Sequence, residues 1–312
     1  MGRSLRAVVA SLAVAGLLGA SSAAGDAGEL IAFSRCRLPD SCALGADVWV
    51  MKPDATELRR LTRDGTHNDS PAWSPDGRRI AFVSGAAGID TIWTMSADGS
   101  AMRRVTVARG LDEEPTWSPD GKRIAFVRRL SRTSQGIYAV AANGRGLRAL
   151  THVGGDYQHP SWSPDGRRIC FAYARNPSRD RYAIYVINVD GSDRQKLSRD
   201  ANADYRDPAW SPDGKRIAFS YLVPAGKAYA AHLEVMDAAG GHERVVLHAP
   251  ANTVYFSPSW SPDGGTLVFV TLTNETRQGR IGFVNPDGRG LHRLTQLLND
   301  NRSPDWQGRL RR

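Results

Sequence analysis

Short apolar runs bounded by turn residues recur along this chain at near-constant intervals. The stretch from Pro160 to Ser198 shows the pattern: "PSWS", a tight "PDG", then "RICFAY", in which Ile169 and Phe171 alternate with their neighbours, then "AIYVINV", Asp190-Gly191 and "RQKLS". Alternation with period two predicts half-buried strands, and Asp-Gly pairs predict tight hairpins because Gly reaches positive φ without steric penalty. Each period is therefore expected to supply four short strands.

The tryptophans that mark the period are Trp73, Trp117, Trp162, Trp210, Trp260 and Trp306, spaced by 44, 45, 48, 50 and 46 residues. Such intervals are those of propeller blades. The third and fourth runs recur six times, from "DVWVMKPDATELRRLT" to "RIGFVNPDGRGLHRLT". The Ile/Leu-x-Phe run also occurs six times if the N-terminal "LIAFS" is included. The last Trp motif is followed by only a few residues, so its strand is expected to complete a blade whose other three strands come from the N-terminus, which removes exposed strand edges. The predicted fold class is all-β: a six-bladed β-propeller of four-stranded antiparallel blades, closed by pairing the C-terminal first strand with three N-terminal strands.

The strings "PAWSPDGRRIAF", "PTWSPDGKRIAF" and "PAWSPDGKRIAF", with "DGS" and "RRLT", resemble the WSPDG-type, WD40-like repeat of TolB-like propellers over about residues 29–308. The resemblance implies the fold and an extracytoplasmic setting. The chain departs from TolB itself in lacking its N-terminal α/β domain.

The N-terminus reads as a leader. Arg3 and Arg6 precede the uncharged "AVVASLAVAGLLGA" and the small residues of "SSAAG", a secretory signal-peptide pattern over residues 1–24. The apolar run is shorter than the roughly 20 residues needed to span a bilayer. Residues 25–29 read as a short linker, 30–308 as the propeller and 309–312 as a C-terminal tail; the expected product is exported, periplasmic, envelope-associated or secreted, and monomeric. Setting aside Arg3 and Arg6 lowers Lys+Arg from 41 to 39 against 32 Asp+Glu, and the formal charge from +9 to +7. The excess is dispersed over equivalent repeat positions, which argues for a solvated face and against a nucleic-acid groove. In "RCRLPDSC", Cys36 and Cys42 flank a short loop and are a candidate disulfide, whereas Cys170 replaces Ala in "RIAF" and reads as core.

The motif residues Ser74, Asp76, Gly77, Ser118, Asp120, Gly121, Ser163, Asp165, Gly166, Ser211, Asp213, Gly214, Ser261, Asp263 and Gly264 read as structural, because catalysis seldom needs five copies of one site. Function is sought where the repeats differ. The segments before each motif proline, "THNDSP", "LDEEP", "GDYQHP", "ADYRDP", "TVYFSP" and "NDNRSP", are expected to ring the channel mouth. They make His67, Asp69, Asp112, Glu113, Glu114, Asp156, Tyr157, His159, Asp204, Tyr205, Asp207, Tyr255 and Asp300 candidate binding residues. There is no G-x-S-x-G, no H-E-x-x-H, no paired Cys ligands and no Gly-rich phosphate loop. The favoured function is a non-enzymatic binding or scaffold module that holds a protein or peptide partner. The alternative is a metal-assisted lyase or hydrolase acting on carbohydrate or peptide, with a cation held by His67, Asp69, Asp156 and His159; no other cofactor is implied.

Overall fold

A computed structural model describes residues 30–38, 41–107, 109–131, 134–200, 203–225, 228–273, 275, 278–294 and 300–308. The expected leader, linker and C-terminal tail, and the side chain of Cys42, lie outside the described residues. The strands follow the predicted periods. The first group is β1 (Ile31–Leu38), β2 (Ser41–Met51) and β3 (Arg59–Arg60). Next come β4 (Asn68–Trp73), β5 (Arg79–Ser84), β6 (Thr91–Ser96) and β7 (Arg103–Arg104), then β8 (Leu111–Trp117), β9 (Arg123–Ser131), β10 (Ser134–Ala141) and β11 (Arg148–Ala149). They continue as β12 (Asp156–Trp162), β13 (Arg168–Ala174), β14 (Ala183–Asn188) and β15 (Gln195–Lys196), then β16 (Asp204–Trp210), β17 (Arg216–Ala225), β18 (Ala228–Asp237) and β19 (Arg244–Leu247). The last are β20 (Thr253–Trp260), β21 (Leu267–Thr273), β22 (Arg280–Val284), β23 (His292–Arg293) and β24 (Asn301–Trp306).

The hydrogen bonding corrects the expectation of six four-stranded blades. Four blades are separate four-stranded sheets, in the orders β24-β1-β2-β3, β4-β5-β6-β7, β8-β9-β10-β11 and β12-β13-β14-β15, while β16 to β23 join in one eight-stranded sheet. The cause is the length of the β17/β18 hairpin, ten residues a side, which overhangs the short β19 and lets Ala231 pair in parallel with Val254 of β20. Elsewhere an isolated parallel bridge, Ser134 to Gly155, makes a similar approach between neighbouring sheets without merging them. Closure through the C-terminus is observed: β24 pairs with β1, and the inner strands β4, β8, β12, β16, β20 and β24 touch in succession around a central channel, β24 returning to β4. Gln307 secures the seam, its Nε2 donating to Gly77 O at 2.8 Å and its Oε1 accepting the Leu30 N–H at 3.0 Å.

The recurring WSPDG has a definite physical role. Ser74 Oγ donates to Asp76 Oδ1 at 2.6 Å and accepts the Arg79 N–H at 2.9 Å, while Asp76 Oδ1 accepts the Arg78 N–H at 3.1 Å. The same set is made by Ser118 and Asp120, Ser163 and Asp165, Ser211 and Asp213, and Ser261 and Asp263. Gly closes the reversal at positive φ, as at Gly121 (65°), where a side chain would also approach Pro75 of the preceding repeat. The indoles are buried between sheets, and in four repeats an Arg lies over the indole of the next: Arg79 on Trp117, Arg123 on Trp162, Arg168 on Trp210 and Arg216 on Trp260, with guanidinium-to-ring distances of 4.5, 4.9, 5.2 and 4.7 Å. Cys170 is buried and free in the core, as its place in the strand pattern predicts, and Cys36 is disulfide-bonded.

Candidate binding site at the channel mouth

Each inner strand breaks its register once, at the same place. The steps Asp69/Ala72, Glu113/Thr116, Gln158/Ser161, Arg206/Ala209 and Phe256/Ser259, and Ala32/Ser34 opposite β24, are β-bulges. In every one the residue before the motif proline adopts left-handed backbone: Ser70, Glu114, His159, Asp207, Ser257 and Ser303 have φ between 48° and 54°. A non-glycine residue there costs roughly 1–2 kcal/mol. The following proline suits the bulge because it has no N–H to be left unpaired in the channel wall. All six side chains line a central cavity of about 320 Å3, with Asp305 below them.

This collar has two unlike halves. On one, His159 bridges two carboxylates: Nε2 is 3.3 Å from Glu114 Oε1, and Nδ1 is 2.9 Å from Asp207 Oδ1. The His159 N–H also donates to Glu114 Oε2 at 2.5 Å, and Asp207 Oδ2 accepts from Ser220 Oγ at 2.9 Å and from the Ser257 N–H at 3.2 Å. Burial disfavours the imidazolium, but the Glu114 and Asp207 charges outweigh it and hold the His159 pKa up at about 9. Burial likewise opposes ionisation of Asp207, and the imidazolium overrides it, lowering that carboxyl to about 2. Glu114 is instead pushed up, chiefly by burial. On the other half, the hydroxyls of Ser70, Ser257 and Ser303 make no hydrogen bond among the described residues. Below them, Asp305 accepts the Trp73 N–H at 2.7 Å and Ser259 Oγ at 2.8 Å, and burial raises its pKa to about 6.

Of the candidate binding residues singled out by sequence, Glu114, His159 and Asp207 line this cavity and the other ten do not. His67 lies at the rim between Asp69 (3.7 Å) and Asp90 (3.4 Å), whose bonds raise its pKa to about 10. Asp69 also accepts from Ser34 Oγ and, at 2.5 Å, from the Ser70 N–H. Glu113 pairs with Arg129 at 3.0 Å, and Asp156 accepts from the Tyr182 hydroxyl at 2.7 Å. Asp112, Asp204 and Asp300 are buried and committed: Asp112 to Arg128 at 2.6 and 2.7 Å, Asp204 to the Tyr182 N–H and Arg206, each at 3.0 Å, and Asp300 to Arg302 at 2.7 Å and the Gly279 N–H at 2.8 Å.

Tyr157, Tyr205 and Tyr255 are not mouth residues. They pack in the same inter-sheet clusters as Trp162, Trp210 and Trp260, because the bulge inserts one residue and turns a position five before the Trp onto the Trp face. Their hydroxyls reach His152 O, Glu243 and Arg293. The set of His67, Asp69, Asp156 and His159 does not assemble: His67 and Asp69 lie together beside Asp90, but Asp156 is bonded to Tyr182 and His159 lies between Glu114 and Asp207, and among the described residues no three His, Cys, Asp or Glu are grouped to hold a metal ion. Sequence reading missed the three collar serines, Asp305 and a rim network in which Arg206 lies 4.0 Å over Tyr182 and donates to Gln158 at 3.1 Å. The signal for the serines was available as a column, the residue before each motif proline.

Comparison with known proteins agrees with this architecture. The family model described as the TolB beta propeller domain matches residues 37–212 and 108–310. TolB from Acinetobacter baumannii is 24% identical, over 91% of this chain and 67% of that one, with a TM-score of 0.75. The putative TolB from Agrobacterium tumefaciens is 19% identical, over 85% of this chain and 87% of that one, with a TM-score of 0.65. Oligogalacturonate lyase from Vibrio parahaemolyticus is 13% identical, over 85% of this chain and 73% of that one, with a TM-score of 0.56. At these identities the likeness is one of fold. No curated protein matches the sequence. With a family model covering most of the sequence and a closed ring of WSPDG repeats in the structure, the chain belongs to the TolB β-propeller family.

Proposed function

We propose that the protein is an exported binding module that holds a protein or peptide partner at its channel mouth, and that it is not itself an enzyme. The collar carries this reading. Six equivalent residues are held in the same costly backbone conformation, yet their side chains are Ser, Glu, His, Asp, Ser and Ser. A scaffold that repeats its backbone while varying the side chains offered to the channel is suited to recognition, and strained positions that persist tend to be functional. On one half the imidazole of His159 is ion-paired with Glu114 and Asp207, whereas the serine half offers hydroxyls that make no bond among the described residues to a partner's backbone or polar side chains. The loop after β13 bonds the start of two neighbouring inner strands through Tyr182, with Asp156 and Asp204 as acceptors, which supports counting it with the mouth. Membership of the TolB propeller family supports a binding role, and the sequence of residues 1–24 supports export.

The test is affinity capture from envelope and secreted fractions with three folded forms: wild type, a Ser257→Ala/Ser303→Ala double variant, and Arg289→Ala in the exposed turn of the opposite face. A partner retained by wild type and Arg289→Ala but lost by the double variant supports the reading. Retention by the double variant, or loss only with Arg289→Ala, overturns it.

A further inference from the structure

The turns between third and fourth strands form the face opposite the channel mouth, and two of them lack the carboxylate found at one position in the other four, with Asn143 there in one and Ala239 in another. Asp54, Asp98, Asp190 and Asp287 each accept, through Oδ1, the N–H two residues on, at 2.9 Å. Asn143 stands at the same place and makes the same bond to the Arg145 N–H at 3.0 Å. The backbone is thus preserved while the negative charge is deleted.

The deletion falls where cations converge. A groove between the β4–β7 and β8–β11 sheets is lined by Arg79, Arg103, Lys122, Ala141, Ala142 and Asn143. Arg103 Nη2 donates to Ala142 O at 2.8 Å and Arg79 Nη2 to Gly121 O at 3.2 Å, so carbonyls orient both guanidinia while their other N–H groups stay uncommitted. Among the described residues none of the three cations makes an ion pair. Asp76 lies within electrostatic reach of Arg79 and Asp120 within that of Lys122, but both carboxylates also accept bonds from their own turns, so the groove differs from its neighbours in the carboxylate missing at Asn143. The neighbouring grooves differ: Asp98 lies within electrostatic reach of Arg59, and Asp190 within that of Arg148, whose Nη2 bonds Val189 O at 2.8 Å just as Arg103 bonds Ala142 O.

We propose that this groove is a binding site for a dianionic tetrahedral oxyanion of the phosphate class. Two guanidinium edges match such an anion's oxygens, and an ammonium adds a mobile point charge. The site is independent of the channel mouth and of any partner held there.

Inorganic phosphate is the probe. It is titrated into the intact chain at constant ionic strength, with chloride as the balancing anion, and binding is read from the rise in the thermal unfolding midpoint. Wild type should respond to phosphate beyond chloride. Asn143→Asp restores the residue found at this place in four other turns and should weaken the apparent affinity about five- to tenfold without disturbing the fold. Lys122→Gln should weaken it comparably, and Arg167→Gln, at the equivalent place in the next groove, should leave it unchanged. A wild-type response equal to that of chloride overturns the proposal. So does equal weakening by Arg167→Gln, which indicates diffuse charge, or full affinity in both Asn143→Asp and Lys122→Gln.

Discussion

Replacing His159 tests the collar most directly, and Asn is the informative choice because it tolerates left-handed backbone while removing the titrating ring. His159 titrates near 6.5 when unfolded and at about 9 in the native collar. Its native pKa is raised, so its stabilising contribution is fully present below about pH 6.5 and disappears as pH rises through about 9. Integrated to pH 7, that difference corresponds to about 2.6 kcal/mol before screening. The His159 side chain is 35% exposed, and solvent screening reduces the expected contribution to about 1–1.5 kcal/mol. Urea denaturation of wild type and His159→Asn at pH 6, 7.5 and 10 should therefore show a destabilisation of about that size at the lower two values and little at the highest. A difference that stays constant from pH 6 to 10 would falsify the imidazolium bridge, because a loss of packing alone does not titrate.

Four further outcomes follow from the same geometry. Asp305 has a raised pKa of about 6, so its contribution to stability is greatest below the unfolded carboxyl range and is lost as pH rises through about 6; Asp305→Asn should remove that decline in a pH series of denaturation curves. Ser118→Ala removes a fully buried hydroxyl that anchors its turn and should cost about 1–3 kcal/mol by urea denaturation, whereas an effect within error would show that the turn stands without it. Arg168→Gln takes the guanidinium off Trp210 and should cost about 0.5–1 kcal/mol, with a change in tryptophan emission. Gln307→Ala breaks both bonds across the seam and should lower stability by about 1–3 kcal/mol while leaving far-UV circular dichroism unchanged.

The turns of the repeat are legible in the sequence because their chemistry is local, although the number of separate blades is not. Ser, Asp and Gly at fixed offsets close each turn by bonds within five residues, so recurrence of the motif was enough to place it. The merged eight-stranded sheet was not legible, because it depends on how far the β17/β18 hairpin overhangs β19 and on where Val254 happens to pass. At the mouth, Glu114, His159 and Asp207 line the cavity, while Tyr157, Tyr205 and Tyr255 pack with the tryptophans, and a single backbone event accounts for both placements. Strict alternation over the five steps from Tyr157 to Trp162 puts them on opposite faces; a bulge at His159 brings both to the core and leaves His159 in the channel.

By itself, the sequence determined the repeat, its four-strand content, the turn chemistry and the closure of the ring by the last Trp segment, since each rests on periodicity or on contacts between near neighbours. Tertiary structure alone decided which carboxylates are spent inside the wall, as Asp112 is on Arg128, and which face the cavity. It also decided that Glu114, His159 and Asp207, drawn from three different repeats, form one electrostatic unit. A carboxylate's role depends on the charge that burial places beside it, and that neighbour lies tens of residues away in the chain.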